Sequence, residues 1–428
     1  HRGGIAYPVV YFCLFHIILV SPSPDLSMDT PPASDLPLHS NLETTDSGDD
    51  SIPLSRPSVS DLERSYVADV LSSTRLSFGP YLEGFEDRMA KRCGTKHAVA
   101  VSSGTAALHC IVRALRLSGG DEVITTPYSF VASSNALLFE DVTPIFVDID
   151  RKTFNIDVDQ VERAITPNTR GILAVDVFGM PAPWPELQDL ADRHDLVLID
   201  DACEAIGASI NDRPIGSWGS AASFGFYPNK QITTGEGGCI TTNDDGIASL
   251  CRSLRNQGRA DDAQMRHVRL GFNYRMSELQ AAVGCAQLDR LDNLLSARAE
   301  AAALYQEHLA PLQDEFLHLP EAADSGTRSW FVYVVRLAEP ATRKMRDAVI
   351  EHLRSEGIGC APYFPSIHLQ PYYRDRFGFM PGDLPVTERI ASQTLALPFF
   401  PGITETQISR VARVLTHALM ESAAAQTP

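Results

Sequence analysis

Between His97 and Thr242 the chain alternates short apolar runs with amphipathic stretches, and few folds accommodate that alternation. His97–Val101, Glu122–Thr125, Ile145–Asp148, Gly171–Val175 and Leu196–Asp200 read as strands. Thr105–Leu117, Phe130–Phe139, Val158–Ile165 and Trp184–His194 read as the helices between them, with Asp61–Leu71 as a helix ahead of the series. Continuous apolar strands separated by amphipathic helices predict βαβ units and a mostly parallel sheet covered on both faces, an α/β fold. Ala221–Tyr227 and Cys239–Thr242 add two strands, which makes a seven-stranded sheet. A helical segment from Ser277 to about Leu309 then breaks the alternation. Its Leu279, Val283, Leu288, Leu291 and Leu295 form an apolar stripe suited to core or subunit packing. Strand Trp330–Leu337 and helices Ala341–Glu356 and Glu405–Leu419 predict a smaller C-terminal α+β domain. The expected division is an extension over 1–50, a large domain over 51–300 and a small one over 301–428.

The formal charge of −18 argues against a general binder of nucleic acid or anionic membrane, since both need a basic face. Eight scattered cysteines without a CxxC pair, and no HExxH among the histidines, predict neither a disulfide framework nor a metal site. Reduced thiols in the cytoplasm fit that pattern. Ile5 to Val20 is an apolar run behind Arg2 that resembles a signal-peptide core and is short for a membrane span. The chain begins with His, and Met28 opens a polar stretch, so residues 1–27 are expected to be translated upstream sequence or a fragment artefact. Residues 28–50 are rich in Pro, Ser, Asp and Thr and are expected to be disordered.

Five stretches carry the candidate chemistry. Ser102-Ser103-Gly104-Thr105 follows a strand and opens a helix, which suits either a phosphate cradle or a capped strand–helix turn. Thr126-Pro127-Tyr128-Ser129-Phe130 lies at another strand end, where Phe130 can stack on a flat ring or pack a helix start. Asp200-Asp201 follows a buried strand at the edge where open α/β sheets bind ligands. A carboxylate there can pair with a protonated pyridine nitrogen, while its neighbour caps a turn or meets a cation. Lys230 sits between the aromatic run Phe224–Tyr227 and the Thr/Gly-rich turn Thr233–Gly238. Surroundings that disfavour an ammonium make a lysine a usable nucleophile; taken alone, a surface lysine at a strand end fits as well. Gly271–Met276 is by itself an ordinary loop ahead of a helix. In chain order these parts are an anion cradle, a stacking face, an acid and an amine, the set needed to hold pyridoxal phosphate. No GxxxxGK[ST] loop supports a nucleoside triphosphatase instead.

From about Ile52 to Leu419 the sequence resembles the DegT/DnrJ/EryC1/StrS group of pyridoxal-phosphate-dependent sugar aminotransferases. The matching segments are SSGTAAL, GDEVITTPYSFVASSNA, TPIFVDID, DDACEAIGA, FYPNKQITTGEGG, GFNYRMSELQAA and SIHLQPYY. The resemblance implies the aspartate-aminotransferase (type I) fold and transfer of an amino group from L-glutamate to a nucleotide-linked keto-sugar. It implies Lys230 as the Schiff-base lysine and proton-moving base, and Asp201 as the partner of the pyridine nitrogen. Gly104 and Thr105 would bind the phosphate, Phe130 would stack on the ring, and Glu204 would lie near the ring oxygen. Asn273 would reach the phosphate from the neighbouring subunit of a homodimer. Tyr274, Arg275, Tyr363 and His368 would fall on the sugar-nucleotide side.

Two departures from the family pattern stand out. Glu204 replaces a frequent Gln, and a carboxylate beside a phenolate is repulsive unless one of them is protonated. Gly225 replaces a frequent phosphate-binding Ser, leaving Ser223 or Asn229 to substitute. A dehydratase of the same family would carry His in place of Lys230, and a non-catalytic regulator would be expected to lose Lys230 or Asp201. Neither residue is lost.

Overall fold

The computed structural model describes residues 50–260 and 265–424. The expectations for residues 1–49 lie outside the described residues. Helices α1 (Asp61–Ser73) and α2 (Pro80–Cys93) precede strand β1 (His97–Val101). The alternation then runs α3 (Gly104–Ala114), β2 (Glu122–Thr125), α4 (Ala132–Leu138), β3 (Thr143–Phe146), α5 (Val158–Ala164), β4 (Thr169–Val175), α6 (Trp184–His194) and β5 (Val197–Asp201). Two short strands, β6 (Ser209–Ile210) and β7 (Arg213–Pro214), lead to β8 (Ala221–Gly225), β9 (Gly238–Thr242) and α7 (Asp245–Arg255).

The large sheet has seven strands in the order β1-β9-β8-β5-β4-β2-β3. Strands β3, β2, β4, β5 and β8 run parallel, and β9 is antiparallel to both β8 and β1. The two-residue period of a strand divides the core between the faces. Ala98, Ala100, Ile172 and Ala174 pack with Phe85, Met89 and Leu187 on one face; Val99, Val101, Leu173 and Val175 pack with Leu108, Ile111 and Leu254 on the other. Both faces are therefore covered, as continuous apolar strands require.

The expected helix from Ser277 to Leu309 is two helices, α8 (Glu278–Asp289) and α9 (Leu291–Leu309). Arg290 leaves helical geometry between them at φ −106°, ψ 2°, and its guanidinium is held by Glu63 at 2.7 Å and by the Ser58 hydroxyl at 3.0 Å. The buried face of α8 also differs from the leucine stripe. It is built of Ala281, Ala282, Gly284, Cys285 and Ala286, because α2 comes so close that a Cβ on Gly284 would lie 2.6 Å from the Phe85 ring. Strands β10 (Leu317–His318), β11 (Gly326–Thr327), β12 (Tyr333–Leu337), α10 (Arg343–Ser355), β13 (Ala361–Pro362), α11 (Pro371–Phe377), α12 (Pro385–Gln393), β14 (Thr394–Leu397) and α13 (Glu405–Ala424) complete the chain. A four-stranded antiparallel sheet, β10-β12-β14-β13, packs Tyr333, Val335, Leu395 and Leu397 against Leu353, Val411 and Leu415 of α10 and α13. The large mixed sheet and the smaller C-terminal α+β region are the type I fold expected from the sequence. Among the described residues, no helix is long and apolar enough to cross a membrane.

Candidate active site

Three chain segments converge where β1, β5 and β8 end. After β1 the chain turns into α3, with Ser103 as N-cap accepting the Ala106 N–H at 3.1 Å. Glycine is required at this turn for packing: a Cβ on Gly104 would stand 2.9 Å from Cys203 Sγ and 3.2 Å from Gly225 Cα. On the far side, a Cβ on Gly238 would meet the Ser103 carbonyl oxygen at 2.2 Å. The start of α3, the ends of β5 and β8 and the loop after β8 enclose a cavity of about 500 Å³. Gly104, Thr105, Phe130, Asp201, Glu204, Lys230 and Tyr363 all line it. Residues 230 and 104, more than a hundred positions apart, thus share one chamber.

Asp201 is 4% exposed and closes β5. Its Oδ2 accepts the Ser133 hydroxyl at 2.7 Å, while Oδ1 accepts the Cys203 N–H at 3.3 Å and the Ser223 hydroxyl at 3.4 Å. Strand register accounts for Ser223, since β5 pairs with β8 to set Asp201 opposite it. Ser223 thus turns its hydroxyl to Asp201 and does not line the cavity, whereas Asn229 does. The Asn229 carboxamide reaches the Tyr363 hydroxyl at 3.5 Å, and its buried Oδ1 has no hydrogen-bond partner among the described residues.

The Lys230 side chain is mostly buried, with Nζ 4.1 Å over the Phe331 ring and 3.5 Å from Glu204 Oε1. Its backbone carbonyl accepts an N–H of Arg298 at 2.9 Å, and the same guanidinium holds the Phe331 carbonyl at 3.0 Å. One α9 residue therefore fixes both the lysine and its aromatic floor. Glu204 Oε2 accepts the Phe178 N–H at 2.9 Å. Burial raises the Glu204 pKa, and the nearby Lys230 ammonium only partly opposes that rise. Phe130 precedes α4 and is 62% exposed, open to the cavity rather than sealed into the core.

The remaining candidates lie off the cavity. Asn273 is exposed and bridges to Asn256. Tyr274 meets His109 Nδ1 through its hydroxyl at 3.0 Å, and an Arg275 N–H reaches Asn256 Oδ1 at 3.2 Å. His368 is fully buried with Nε2 3.1 Å from Glu388 Oε1. Sequence reasoning did not single out Ser133, Cys203, Phe331 or Arg298. Of these only Ser133 left a signal, at helical spacing from Ser129, to which it is hydrogen-bonded at 2.9 Å.

A profile of the DegT/DnrJ/EryC1/StrS aminotransferase family matches residues 57–416. The GDP-perosamine synthase of Caulobacter vibrioides is 39% identical over 370 residues, 86% of this chain and 98% of that protein. Among solved structures, DesI in the presence of its TDP-sugar product is 34% identical with a TM-score of 0.80, covering 88% of this chain and 95% of its own. The pyridoxal-phosphate form of a putative sugar aminotransferase, Spr1654 from Streptococcus pneumoniae, is 25% identical with a TM-score of 0.83, covering 87% and 99%.

Proposed function

The chain belongs to the DegT/DnrJ/EryC1/StrS aminotransferase family, and we propose that it moves an amino group from L-glutamate to a nucleotide-linked keto-sugar in amino-sugar biosynthesis. It is a pyridoxal-phosphate-dependent aminotransferase, and the residues present fit that cofactor. A lysine amine and a carboxylate line one cavity, and a helix N-terminus with glycine at its closest approach borders it. When bound, pyridoxal phosphate supplies a carbonyl for amines and an electron-withdrawing ring that stabilises charge on the carbon losing its proton. In this reading Lys230 Nζ holds the cofactor and then carries the proton between carbon centres. Asp201 holds the ring nitrogen in its protonated form, Gly104 and Thr105 offer backbone N–H groups to the phosphate, and Phe130 covers the ring. Glu204 borders the ring oxygen.

Asn273, Tyr274 and Arg275 serve the site of a second copy in this reading, so the working unit is a homodimer. The exposure of Asn273, away from its own cavity, supports that role. Tyr363, on the cavity wall, faces the sugar side, whereas His368, buried against Glu388, does not line the cavity. A cytoplasmic setting agrees with the free state of the seven described cysteines. The observation that carries the proposal is the meeting of Lys230 and Asp201 in one cavity at the N-terminus of α3. The test is the visible spectrum of the purified protein. L-glutamate should bleach the cofactor's band, and a nucleotide keto-sugar should restore it. A band indifferent to glutamate excludes that donor.

Two further results are expected. In Gly104→Ala the new methyl must displace Cys203 or β8 from α3. Overpacking of that kind costs about 1–3 kcal/mol of folding stability, and the shifted turn re-aims its N–H groups, so the cofactor Kd should rise severalfold by absorbance titration. Unchanged affinity would exclude this turn as the phosphate cradle. Glu204→Gln should change how stability varies with pH. Because burial raises the folded pKa of Glu204 above its ordinary 4.5, its contribution is complete below that value and is lost as pH rises through the folded one. Relative to wild type, the glutamine variant should gain stability on going from acid toward neutral pH in calorimetry of the cofactor-free protein. A constant difference contradicts the assignment.

A further inference from the structure

Two buried acids beside the site take no part in that scheme. Asp200 precedes Asp201 on β5, and strand alternation turns their side chains to opposite faces of the sheet. Asp201 faces the cavity, whereas Asp200 is fully buried on the other side, and Asp176, the first residue after β4, is fully buried with it. Asp176 Oδ1 accepts the Ala182 N–H at 2.7 Å and the Trp184 indole N–H at 2.8 Å. Asp200 Oδ2 accepts the Gly216 N–H at 3.0 Å. The other oxygen of each, Asp176 Oδ2 and Asp200 Oδ1, finds no donor among the described residues. The two carboxyl groups are nonetheless close neighbours, each acting on the other's proton affinity. Two acceptor oxygens cannot bond to each other without a proton between them, and two ionised carboxylates in contact at this depth would repel strongly.

We infer that Asp176 and Asp200 share one proton, and that this acid pair clamps the loop after β4 onto the end of β5, positioning Glu204 and Asp201. The loop from Asp176 to Trp184 carries the Phe178 N–H that holds Glu204, and the Asp176 N–H itself donates to the Asp201 carbonyl at 3.3 Å. A single bridging proton thus ties together three segments: the β4 loop, the last two residues of β5 and the Gly216 turn. The titratable group facing the pair is the Cys93 thiol from α2, itself pushed up to about 12 by burial and by Asp200; Asp201 acts on the pair from the opposite face of the sheet. Burial is the larger cause of the pair's raised proton affinity, and the second carboxylate adds to it. The positioning role rests on the aminotransferase reading; the shared proton does not.

The test is thermal unfolding of the cofactor-free full chain as a function of pH, in wild type, Asp176→Asn, Asp200→Asn and the double variant. With folded proton affinity raised, the pair's contribution is complete below the ordinary aspartate value and fades as pH rises through the folded one. In Asp176→Asn the amide oxygen can take both N–H donors of Ala182 and Trp184 while the amide nitrogen donates to Asp200, so every bond survives without a shared proton and the second carboxylate no longer raises the proton affinity of Asp200. Asp200→Asn works by the same exchange. Each single variant should therefore unfold near the wild-type temperature in mild acid and decline less toward alkaline pH. The double variant must set an amide N–H against the Gly216 N–H, or leave the two amides unbonded, and should unfold lower by roughly 3 °C or more. Single variants that keep the full wild-type slope, or a double variant as stable as the singles, would overturn the shared proton. The positioning role is read by pyridoxal phosphate affinity. Asp176→Ala should weaken it severalfold and Asp176→Asn should restore it. Wild-type affinity in the alanine variant would reduce the pair to a structural contact.

Discussion

Lys230→Ala should abolish transamination, by about 10⁴-fold or more, while leaving the fold intact. The size of the loss follows from one amine serving twice, first as the group that holds the cofactor and then as the base that moves the proton. The mildness toward folding follows from what the side chain touches. Among the described residues its ammonium reaches only Glu204, at 3.5 Å, and the face of Phe331, while the structural bond of this residue, from Arg298, goes to the backbone carbonyl and survives substitution. Losing the ammonium leaves Glu204 buried beside no cation, but burial already raises its pKa, so it can take up a proton instead of remaining a stranded charge. Lys230→Arg should be as inactive as alanine, because a guanidinium keeps its charge at any working pH and cannot act as the base. A small primary amine added to the alanine variant fills the vacated volume and should restore part of the rate. The measurement is single-turnover amino transfer with each variant, checked by circular dichroism. Residual turnover above about a hundredth of wild type would remove Lys230 from the catalytic role.

The sequence pointed to the lysine and the acid for different reasons. Asp201 was legible because an apolar strand must end somewhere, and an acid at that end lies on the ligand-binding edge of a parallel sheet. Lys230 was legible only from its aromatic and glycine-rich neighbours and the order of the other stretches. What decides whether these two share a chamber is strand order, and the placement of β8 beside β5 leaves no local trace. The same holds for Ser223, whose contact with Asp201 is a matter of cross-strand register, and for Phe331 and Arg298, which arrive from far along the chain. Helix α2 was open to recognition and passed over. Pro80 at its start, Gly94 at its end and the buried set Leu82, Phe85, Met89 and Cys93 form a helical pattern. The break at Arg290 is a different kind of case. The apolar stripe runs on through it, and the group that holds Arg290 is Glu63 on the first helix. Asp200 and Asp201 look alike as neighbours in a sequence; only the pleat of β5 sends one to the cavity and the other to Asp176.

Asp201→Asn should keep the protein folded and lower the rate of amino transfer by about 10²–10³-fold, the loss typical of removing one preorganised electrostatic partner. Asparagine nearly matches the shape of aspartate, and its oxygen can still accept the Cys203 N–H and the Ser223 hydroxyl. The Ser133 hydroxyl, now facing an amide nitrogen, can turn to accept from it and donate to the Phe130 carbonyl, which already lies at 3.2 Å. What disappears is the negative charge, and with it the preference for a protonated ring nitrogen. Asp201→Ala is a different experiment. It strands the buried Cys203 N–H, at about 1–3 kcal/mol, and leaves a void where the carboxylate held two hydroxyls, and so should lower stability as well as rate. The two variants separate charge from structure: equal rates but unequal melting temperatures would assign the catalytic loss to charge alone. A cofactor analogue methylated on the ring nitrogen carries the positive charge permanently and no longer needs Asp201 to hold a proton there. It should therefore recover much of the rate in the asparagine variant and give no gain in wild type. Failure of the analogue in a variant that still binds it would mean that Asp201 acts on the orientation of the site instead of on ring charge.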